Sequence, residues 1–254
     1  MLDILRNIRL ALLHIFLPKT CLCCGCDLPW KDEGFLCSAC REKLSFVPVH
    51  ICKRCGVTLP SGGAHCFACR GSKAKKYKCS LIRSAFVFNE ASRSLVHGLK
   101  YDGREYVAAV MGKEMALRFK HYPELASSDL IMPVPLFGKR KRKRGYNQSE
   151  LLAQSFSLHT GISCDVFSLV RIRDTVSQTR LGRKARLENM AGAFLCNNIN
   201  SVKGKTVLLI DDVATTGATL EGCATALKRA GAKKVFAYTL TKVTIPQSMV
   251  MIQL

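Results

Sequence analysis

The spacing of apolar and polar residues changes along this chain near residue 84. Beyond it, short apolar runs of strand length alternate with longer amphipathic segments of helix length. This order predicts an α/β domain over residues 84–243, with a parallel sheet covered by helices on both faces. The predicted strands are residues 84–88, 129–134, 166–170, 206–210 and 234–240, and the predicted helices are residues 91–100, 104–121, 146–159 and 218–230.

The first 83 residues and the end of the chain follow other patterns. Residues 1–19 place apolar side chains at helical spacing, which predicts a short amphipathic helix. Their apolar run is shorter than the ~20 residues of a transmembrane helix, and no cleavage site of a secretory signal follows it. We therefore expect a cytoplasmic protein without a transmembrane segment. Residues 20–72 are rich in cysteine, residues 73–83 are interpreted as a basic linker, and residues 244–254 form an apolar tail.

The cysteine-rich segment contains an internal repeat. Eleven of the 14 cysteines lie at or before Cys79, and the pattern C-x2-C-x10-C-x2-C occurs twice. The likeness extends to flanking residues, since Cys37-Ser-Ala-Cys-Arg matches Cys66-Phe-Ala-Cys-Arg 29 residues later. We therefore predict a duplicated module. Its two sets of cysteines are Cys23, Cys26, Cys37 and Cys40, and Cys52, Cys55, Cys66 and Cys69.

Each set of four cysteines is typical of a structural zinc site. Two C-x2-C turns supply four thiolates, which complete a tetrahedral site with no open position for catalysis. A disulfide framework is the alternative, and a reducing compartment disfavours it. Cys21 and Cys24 form a competing C-x2-C pair for the first site. Because so short a module has little apolar core, metal binding is expected to supply most of its folding free energy.

The charge of the chain indicates an anionic partner. Thirty-nine Lys and Arg against 18 Asp and Glu give a net charge of +21, while 48% of the residues are hydrophobic. A chain with this hydrophobic content can bury a core, so extensive disorder is excluded. The excess positive charge is therefore expected to act on an anion outside the protein.

The most informative stretch is residues 207–220, Val-Leu-Leu-Ile-Asp-Asp-Val-Ala-Thr-Thr-Gly-Ala-Thr-Leu. Its aliphatic run predicts a buried strand. We expect the two carboxylates that follow to lie at the open end of this strand and to face a ligand, because unpartnered burial would be costly. Hydroxyls and a glycine at a helix N-terminus are typical of a phosphate-binding loop. The stretch thus predicts a ribose 5-phosphate site, whereas a simple N-cap turn would need only one acid and one hydroxyl.

This stretch resembles the signature of type I phosphoribosyltransferases. The resemblance implies that Asp211 and Asp212 hydrogen-bond the ribose hydroxyls of phosphoribosyl pyrophosphate. It also implies that the following residues wrap the 5′-phosphate. These residues are Ala214, Thr215, Thr216, Gly217, Ala218 and Thr219.

The chain as a whole resembles the ComF family, competence protein F-like proteins that join a double zinc ribbon to a type I phosphoribosyltransferase domain. The resemblance covers about residues 20–243. It implies a role in DNA uptake during natural transformation, acting on incoming single-stranded DNA beside a helicase-like partner. Its landmarks are the cysteine pairs, Val96-His-Gly-Leu-Lys-Tyr101, Pro133-Val-Pro-Leu136, Arg144-Gly-Tyr-Asn-Gln148, Gln178-Thr-Arg-Leu181, Arg186 with Asn189, and Ala193-Phe194.

Six consecutive cations occupy a predicted loop between residue 135 and the helix that starts near residue 145. A solvated loop or a localisation signal is the general alternative. By resemblance, this is where the fold places its pyrophosphate-binding loop. Pyrophosphate hardly needs six cations, so single-stranded nucleic acid is an equal candidate and the two uses are compatible. The cations are Lys139, Arg140, Lys141, Arg142, Lys143 and Arg144.

Three residues near these cations are further candidates. Lys100 ends a predicted helix, where the helix dipole favours a cation, and is equally a candidate pyrophosphate contact. Tyr146 and Asn147 are candidates to stack on and hydrogen-bond a base, although a helix start also explains the asparagine.

Residues 171–186 carry six cations and few large apolar residues. By resemblance they form the flexible loop that closes over phosphoribosyl pyrophosphate and excludes water. A plain surface loop is the alternative. The candidate residues in this segment are Gln178, Arg180, Arg183 and Arg186.

The resemblance implies two functional hypotheses. In one, the protein binds phosphoribosyl pyrophosphate and handles single-stranded DNA. In the other, it is an active phosphoribosyltransferase without a nucleic-acid role, displacing pyrophosphate at the ribose anomeric carbon in favour of an amine or a base. Catalysis would then be electrostatic, with Mg²⁺ and cations at the leaving group and no covalent nucleophile.

Overall fold

The computed structural model describes residues 19–29, 35–48, 50–71, 77–101, 105–175 and 183–243. The predicted helix at the N-terminus, apart from its last residue, and the tail at residues 244–254 lie outside the described residues. Within the described ranges, no helix combines the length and the apolar character needed to cross a membrane.

The described elements follow the predicted alternation with changed boundaries. The strands are β1 (Leu81–Val87), β2 (Leu130–Pro133), β3 (Leu169–Arg171), β4 (Phe194–Cys196), β5 (Thr206–Ala214) and β6 (Lys234–Lys242). The helices are α1 (Ser38–Glu42), α2 (Glu90–Lys100), α3 (Tyr106–Phe119), α4 (Gly138–Arg144), α5 (Gln148–Thr160), α6 (Arg183–Met190), α7 (Ile199–Val202) and α8 (Ala218–Arg229).

Four strands form a parallel sheet in the order β1-β6-β5-β2, as predicted. The two long central strands pair in register, so that Leu208 lies beside Phe236 and Ile210 beside Tyr238. Parallel strands bring their carboxyl ends to one edge, where such folds bind ligands. That edge carries the residues that follow β2, β5 and β6.

Helices cover both faces of this sheet, which confirms the α/β prediction. Leu208 and Ile210 of β5 pack in one apolar cluster with α2, α3 and α5. Val207 and Leu209, which point to the opposite face because side chains alternate along a strand, pack in a second cluster with α8. Burying a large aliphatic side chain contributes about 1.5–3 kcal/mol, so the two clusters hold β5 firmly in place.

The predicted strand at residues 166–170 is not part of the parallel sheet. Only β3 is extended there, and it pairs antiparallel with β4 in a separate two-stranded sheet. The Asp165 carboxylate accepts hydrogen bonds from the amides of Phe167 and Ser168, at 2.9 and 3.0 Å. This local turn of a kind that aspartate favours ends the extended conformation before residue 169.

The basic linker at residues 73–83 is shorter than predicted. Strand β1 begins at Leu81, three residues before the predicted strand start. The amides of Lys78 and Cys79 donate to the carboxylate of Glu221 in α8. The last residues of the predicted linker are therefore part of the folded core, because a contact distant in sequence binds them.

Candidate phosphate-binding site and metal centres

Asp211 and Asp212 lie inside β5, which corrects the expectation that they sit beyond its end. The strand runs four residues past its predicted end because Asp211 and Ala214 stay in register with Thr239 and Lys242 of β6. The two carboxyl side chains belong to residues that are only 8% and 4% exposed. Buried carboxylates need partners, and the structure supplies them from α2 and α5.

The main partner of Asp212 is Lys100, the last residue of α2. The Lys100 Nζ lies 2.5 Å from Oδ2 of Asp212, and Gln148 Nε2 donates to Oδ1 at 3.3 Å. Burial opposes ionisation of Asp212, but the nearby ammonium outweighs it and lowers the pKa of this carboxyl. Burial likewise opposes the charge of Lys100, yet Asp212 raises its pKa. Both members of the pair are therefore charged.

The environment of Asp211 has the opposite effect on its acidity. Burial and the adjacent Asp212 carboxylate raise the pKa of Asp211 to about 8. Two donors reach its Oδ1, the Ser149 hydroxyl at 2.8 Å and the Asp212 amide at 2.9 Å. One strand thus presents a charged and a largely protonated carboxyl side by side near neutral pH.

The segment between β5 and α8 has the features expected of a phosphate loop. Gly217 adopts a positive φ of +79° at the N-cap of α8, a conformation that favours glycine. The amide of Glu221 donates to the Gly217 carbonyl at 2.9 Å. Thr215 is exposed, whereas Thr216 and Thr219 are half-buried. The threonine hydroxyls and the first amides of a helix therefore lie next to the two acids, an arrangement suited to an anion.

A buried lysine that the sequence analysis did not single out lies behind this loop. Lys242, at the end of β6, is 5% exposed, and its Nζ donates to the Thr215 carbonyl at 3.1 Å. The signal in the sequence was a cation that closes an otherwise apolar strand. Such a residue is rarely buried without a partner.

The six consecutive cations lie on helix α4 and not in a loop. Lysine and arginine are good helix formers, and Gly145, with φ of +89°, ends the helix. Prediction from charge alone missed this because the run is uniformly basic. A helix separates the six side chains onto different faces.

Two of these cations face the candidate site. Arg140 Nη2 donates to the Thr175 carbonyl at 2.7 Å and lies 3.5 Å from the Asp174 carboxylate. Arg144 donates to the Gln148 side chain, which itself contacts Asp212. Arg140 and Arg144 are half-buried and four residues apart, so they share one face of α4.

The other four cations of α4 are exposed. Lys141 pairs with Glu150 of α5 at 2.9 Å. Lys139, Arg142 and Lys143 point their charges toward solvent, on the side away from the acids. The basic run therefore divides into an inward pair and an outward group.

Tyr146 and Asn147 serve the fold, which corrects their predicted role as base contacts. Tyr146 is 8% exposed and its hydroxyl donates to the Leu99 carbonyl at 3.0 Å. Asn147 is 5% exposed, caps α5 by accepting from the Ser149 amide at 3.1 Å, and donates to the Val134 carbonyl. Neither side chain is open to a base. The exposed aromatic residue beside the basic helix is Tyr101, which is 67% exposed and lies 5.7 Å from the Arg144 guanidinium.

The predicted closing loop is shorter than residues 171–186. Gln178 and Arg180 lie outside the described residues, whereas Arg183 and Arg186 belong to helix α6. Arg171 ends β3, and its guanidinium hydrogen-bonds the Thr175 hydroxyl and lies over the Phe194 ring. Burial and the charge of Arg140 lower the pKa of Arg171, which is close enough to Asp211 to interact with it electrostatically. Arg171 is thus a further cation of the site.

Both halves of the cysteine segment bring four sulfur atoms together. The first group is Cys21, Cys24, Cys37 and Cys40, and the second is Cys52, Cys55, Cys66 and Cys69. The second group is the predicted one. The first differs, because Cys21 and Cys24 take the places predicted for Cys23 and Cys26, so the competing C-x2-C pair is the one that the fold uses.

The backbone explains this correction. In the first turn the Gly25 amide donates to the Cys21 carbonyl at 2.9 Å, and in the second the Gly56 amide donates to the Cys52 carbonyl at 3.0 Å. Both glycines have a positive φ, +74° and +67°. The turn thus requires the sequence C-x2-C-G, which Cys21-x2-Cys24-Gly25 satisfies and Cys23-x2-Cys26-Asp27 does not.

The repeat is therefore 31 residues long at its first turn and 29 at its second. The bridge between Thr20 and Asp27 recurs between Ile51 and Thr58. Two additional residues between the turns of the first half account for the difference, and a constant repeat of 29 hides it.

The geometry of both groups fits zinc. All four sulfur atoms of each group lie within 4.8 Å of one another, and Cys24–Cys37 and Cys55–Cys66 are each separated by 3.7 Å. A Zn–S distance of ~2.3 Å in a tetrahedral site implies about 3.8 Å between sulfurs. The other three thiols of the second group hydrogen-bond Cys52 and lower its pKa, as a thiolate ligand requires. The cysteines could hold one zinc ion in each half of the segment.

Two family models match the chain. The phosphoribosyl transferase domain matches residues 105–249. The double zinc ribbon domain matches residues 12–70. Together they cover both the sheet with its acids and the duplicated cysteine segment.

Several curated proteins resemble the chain over most of its length. A DNA utilization protein YhgH of Salmonella typhi is 30% identical over 228 residues, which cover 89% of this chain and 97% of the relative. Competence protein F of Haemophilus influenzae is 28% identical over 231 residues, with 89% and 98% covered. Competence protein ComFC of Bacillus subtilis is 28% identical over 237 residues, with 87% and 94% covered.

Solved structures give a weaker likeness. The glutamine phosphoribosylpyrophosphate amidotransferase of B. subtilis matches 57% of this chain and 30% of its own, at 17% identity and a TM-score of 0.39. A purine phosphoribosyltransferase of Pyrococcus horikoshii matches 52% of this chain and 83% of its own, at 16% identity and a TM-score of 0.34.

Proposed function

We propose that this chain, which belongs to the ComF family of double-zinc-ribbon proteins with a phosphoribosyltransferase domain, binds phosphoribosyl pyrophosphate and handles single-stranded DNA in the cytoplasm during DNA uptake. The observation that carries the first part is the buried pair Asp211–Asp212, held by Lys100 and Ser149 directly before the phosphate loop. Keeping two adjacent acids in a buried strand is costly, and recognition of sugar hydroxyls accounts for that cost.

Each part of the ligand has a matching group. The ribose hydroxyls would donate to Asp211 and Asp212, and the 5′-phosphate would accept from the amides and hydroxyls of residues 215–219. The pyrophosphate would lie among the inward cations, which are Lys100, Arg140, Arg144 and Arg171.

Magnesium would enter with the ligand. Among the described residues, the groups of three or more metal-ligating side chains are the two cysteine sets, so this edge of the sheet offers Mg²⁺ only the two acids. Mg²⁺ usually keeps water and substrate phosphates as ligands. It would supply charge neutralisation of the pyrophosphate.

Isothermal titration with phosphoribosyl pyrophosphate and Mg²⁺ tests the ligand site. We expect Asp212→Asn and Asp211→Asn to weaken binding by about tenfold or more, since each removes a charge-assisted hydrogen bond. Glu90→Gln removes an exposed acid of the same domain and serves as the control. Equal affinities of the wild-type protein and both Asp variants would reject the proposal.

The second part of the proposal rests on the outward cations of α4. Lys139, Arg142 and Lys143 are exposed and face away from the acids, so a pyrophosphate in the site does not use them. Exposed cations next to an exposed aromatic ring are typical of single-strand binding surfaces, and Tyr101 supplies that ring. The names of the relatives, which refer to DNA utilization and competence, agree with this assignment. A helicase-like partner stays a prediction.

Fluorescence anisotropy with a labelled single strand over a salt series tests the DNA surface. The triple variant Lys139→Gln, Arg142→Gln and Lys143→Gln should reduce the salt slope by about 2 and leave the affinity for phosphoribosyl pyrophosphate unchanged. The matched control neutralises Lys203, Lys233 and Lys234, which are exposed at the opposite edge of the sheet. A salt slope that the first triple variant shares with the wild-type protein would exclude this surface.

Active transfer is the second candidate function. The inward cations surround the acids where a departing pyrophosphate would need charge stabilisation. Release of pyrophosphate in the presence of amines and bases measures this activity directly. No release with any acceptor, in a protein that binds the ligand, would leave a binding module.

A further inference from the structure

The second zinc site and the phosphate loop are joined by one buried arginine. Arg54 lies between Cys52 and Cys55 and is 8% exposed. Its Nη1 donates to Cys69 Sγ at 3.4 Å, and its Nη2 donates to the Cys79 carbonyl at 3.1 Å. The guanidinium also lies 3.5 Å from the centroid of the Tyr77 ring. Arg54 thus contacts a ligand of the metal group from inside its own C-x2-C turn.

The same guanidinium reaches the helix that follows the phosphate loop. Arg54 Nη2 lies 3.6 Å from Oε2 of Glu221, whose side chain is 14% exposed. The Glu221 carboxylate accepts from the Cys79 amide at 3.2 Å, and the Glu221 amide donates to Gly217 in the loop at 2.9 Å. One residue therefore binds the zinc module with its side chain and the phosphate loop with its backbone.

A second contact runs parallel to the first. The Ile82 amide donates to the Arg54 carbonyl at 2.8 Å. The Ile82 carbonyl lies so close to Gly56 that a Cβ there would be 2.7 Å away, and the end of the Ile82 side chain lies 3.2 Å from the position of a Cβ on Gly217. Ile82 thus fills the space between the second cysteine turn and the phosphate loop.

From these contacts we propose that the second zinc site positions the phosphate loop through the Arg54–Glu221 pair, so that zinc at this site raises the affinity of the loop for its ligand. This inference rests on the proposed binding of phosphoribosyl pyrophosphate. Without metal, a small module of this kind loses most of its folding free energy. Glu221 would then keep a buried carboxylate without its cation, which is unfavourable, and the first turn of α8 would lose its anchor. Arg54 acts through Glu221 and is a positioning residue.

The first zinc site offers an internal comparison. By the 31-residue offset of the first turn, the position equivalent to Arg54 is Cys23, which cannot form such an ion pair. The sequence therefore assigns the coupling to the second site alone.

Two variants test the coupling in the full chain loaded with zinc. Arg54→Gln and Glu221→Gln should each weaken the affinity for phosphoribosyl pyrophosphate about tenfold, with close to two zinc ions per chain retained. The double variant should lose no more than either single one, because both remove the same pair. Arg70→Gln changes an exposed arginine next to Cys69 and should bind as the wild type does.

Amide hydrogen exchange in the absence of ligand gives a readout independent of binding. Exchange of residues 215–221 should become faster in both variants and in wild-type protein from which a chelator has removed the second zinc. If the wild type bound no phosphoribosyl pyrophosphate, the proposed function would fail, and exchange of the loop would still decide the coupling. Loop exchange in Glu221→Gln and in the zinc-free protein that matches the zinc-loaded wild type would overturn it, even if Arg54→Gln failed to fold.

Discussion

Lys100 Nζ and Asp212 Oδ2 lie 2.5 Å apart, so the last residue of α2 closes over the acid at the carboxyl end of β5. The two residues are 112 positions apart in the sequence. The ion pair keeps the carboxylate charged in a buried strand and holds a cation where a pyrophosphate would lie. Lys100 is therefore placed both to stabilise the empty site and to contact the ligand.

Replacing Lys100 with methionine tests this double role. Lys100→Met leaves Asp212 buried without its main partner, which we expect to lower the free energy of unfolding by about 2 kcal/mol at neutral pH. The affinity for phosphoribosyl pyrophosphate should fall as well. Chemical denaturation and isothermal titration measure the two effects, and Lys113→Met, at an exposed position of α3, is the control. If only stability changed, Lys100 would have no part in the ligand site.

The raised pKa of Asp211 predicts a dependence of stability on pH. Its folded value of about 8 lies above the ordinary value of 3.8, so between about pH 4 and pH 8 the folded state binds more protons than the unfolded state. The free energy of unfolding should therefore fall as pH rises through this range and level off above it. Asp211→Asn removes the effect and should be more stable than the wild type at pH 9.

Denaturation curves of both proteins from pH 4 to pH 9 measure this difference. Subtracting the Asp211→Asn curve from that of the wild type isolates the contribution of this one carboxyl group. Glu90→Gln, at an exposed position, should parallel the wild type. A difference curve that is flat across the range would show that Asp211 ionises normally.

The two metal groups predict two rates of zinc loss. Cys24 is exposed and Cys37 half-buried in the first group, whereas three of the four cysteines of the second group are buried and Arg54 donates to Cys69. A chelator that reports zinc colorimetrically should therefore release one ion quickly and one slowly. Cys24→Ser should remove the fast phase, and Cys55→Ser the slow one. Release in a single phase, or the reverse assignment, would contradict the difference in burial.

Helix α3 holds α5, and with it Gln148 and Ser149, at a close approach through Gly112. A Cβ at this position would lie 2.4 Å from the Ser155 hydroxyl oxygen and 2.9 Å from the Phe156 amide nitrogen. Alanine is favoured over glycine in a helix by about 1 kcal/mol, but we expect the overlap to win and Gly112→Ala to be less stable by about 1–3 kcal/mol.

Gly138→Ala is the matched control for this prediction. Gly138 is exposed in α4, and a Cβ there would meet only the end of the Arg142 side chain at 3.5 Å. Urea denaturation should place the two variants on opposite sides of the wild type or leave the Gly138 variant unchanged. A stabilised Gly112→Ala would show that the two helices separate at little cost.

The sequence by itself determined the order of strands and helices, the duplicated cysteine segment, and the pairing of two acids with a threonine-rich turn. These features depend on spacing within a dozen residues, where the period of apolar positions and the types of neighbouring side chains decide local structure. The match of Leu208 and Ile210 to one face, and of Val207 and Leu209 to the other, follows from that period alone.

Only the tertiary structure decided which atoms meet. Lys100 reaches Asp212, Lys242 reaches the phosphate loop and Arg54 reaches Glu221 across separations that no local pattern encodes. The choice of Cys21 and Cys24 over Cys23 and Cys26 depends on a left-handed glycine in the turn and on the distance to Cys37 and Cys40. The division of the basic run into inward and outward cations required the helix α4 and its packing against α5. In each case the deciding term is the position of groups far apart along the chain, because electrostatic and metal contacts depend on distance in space.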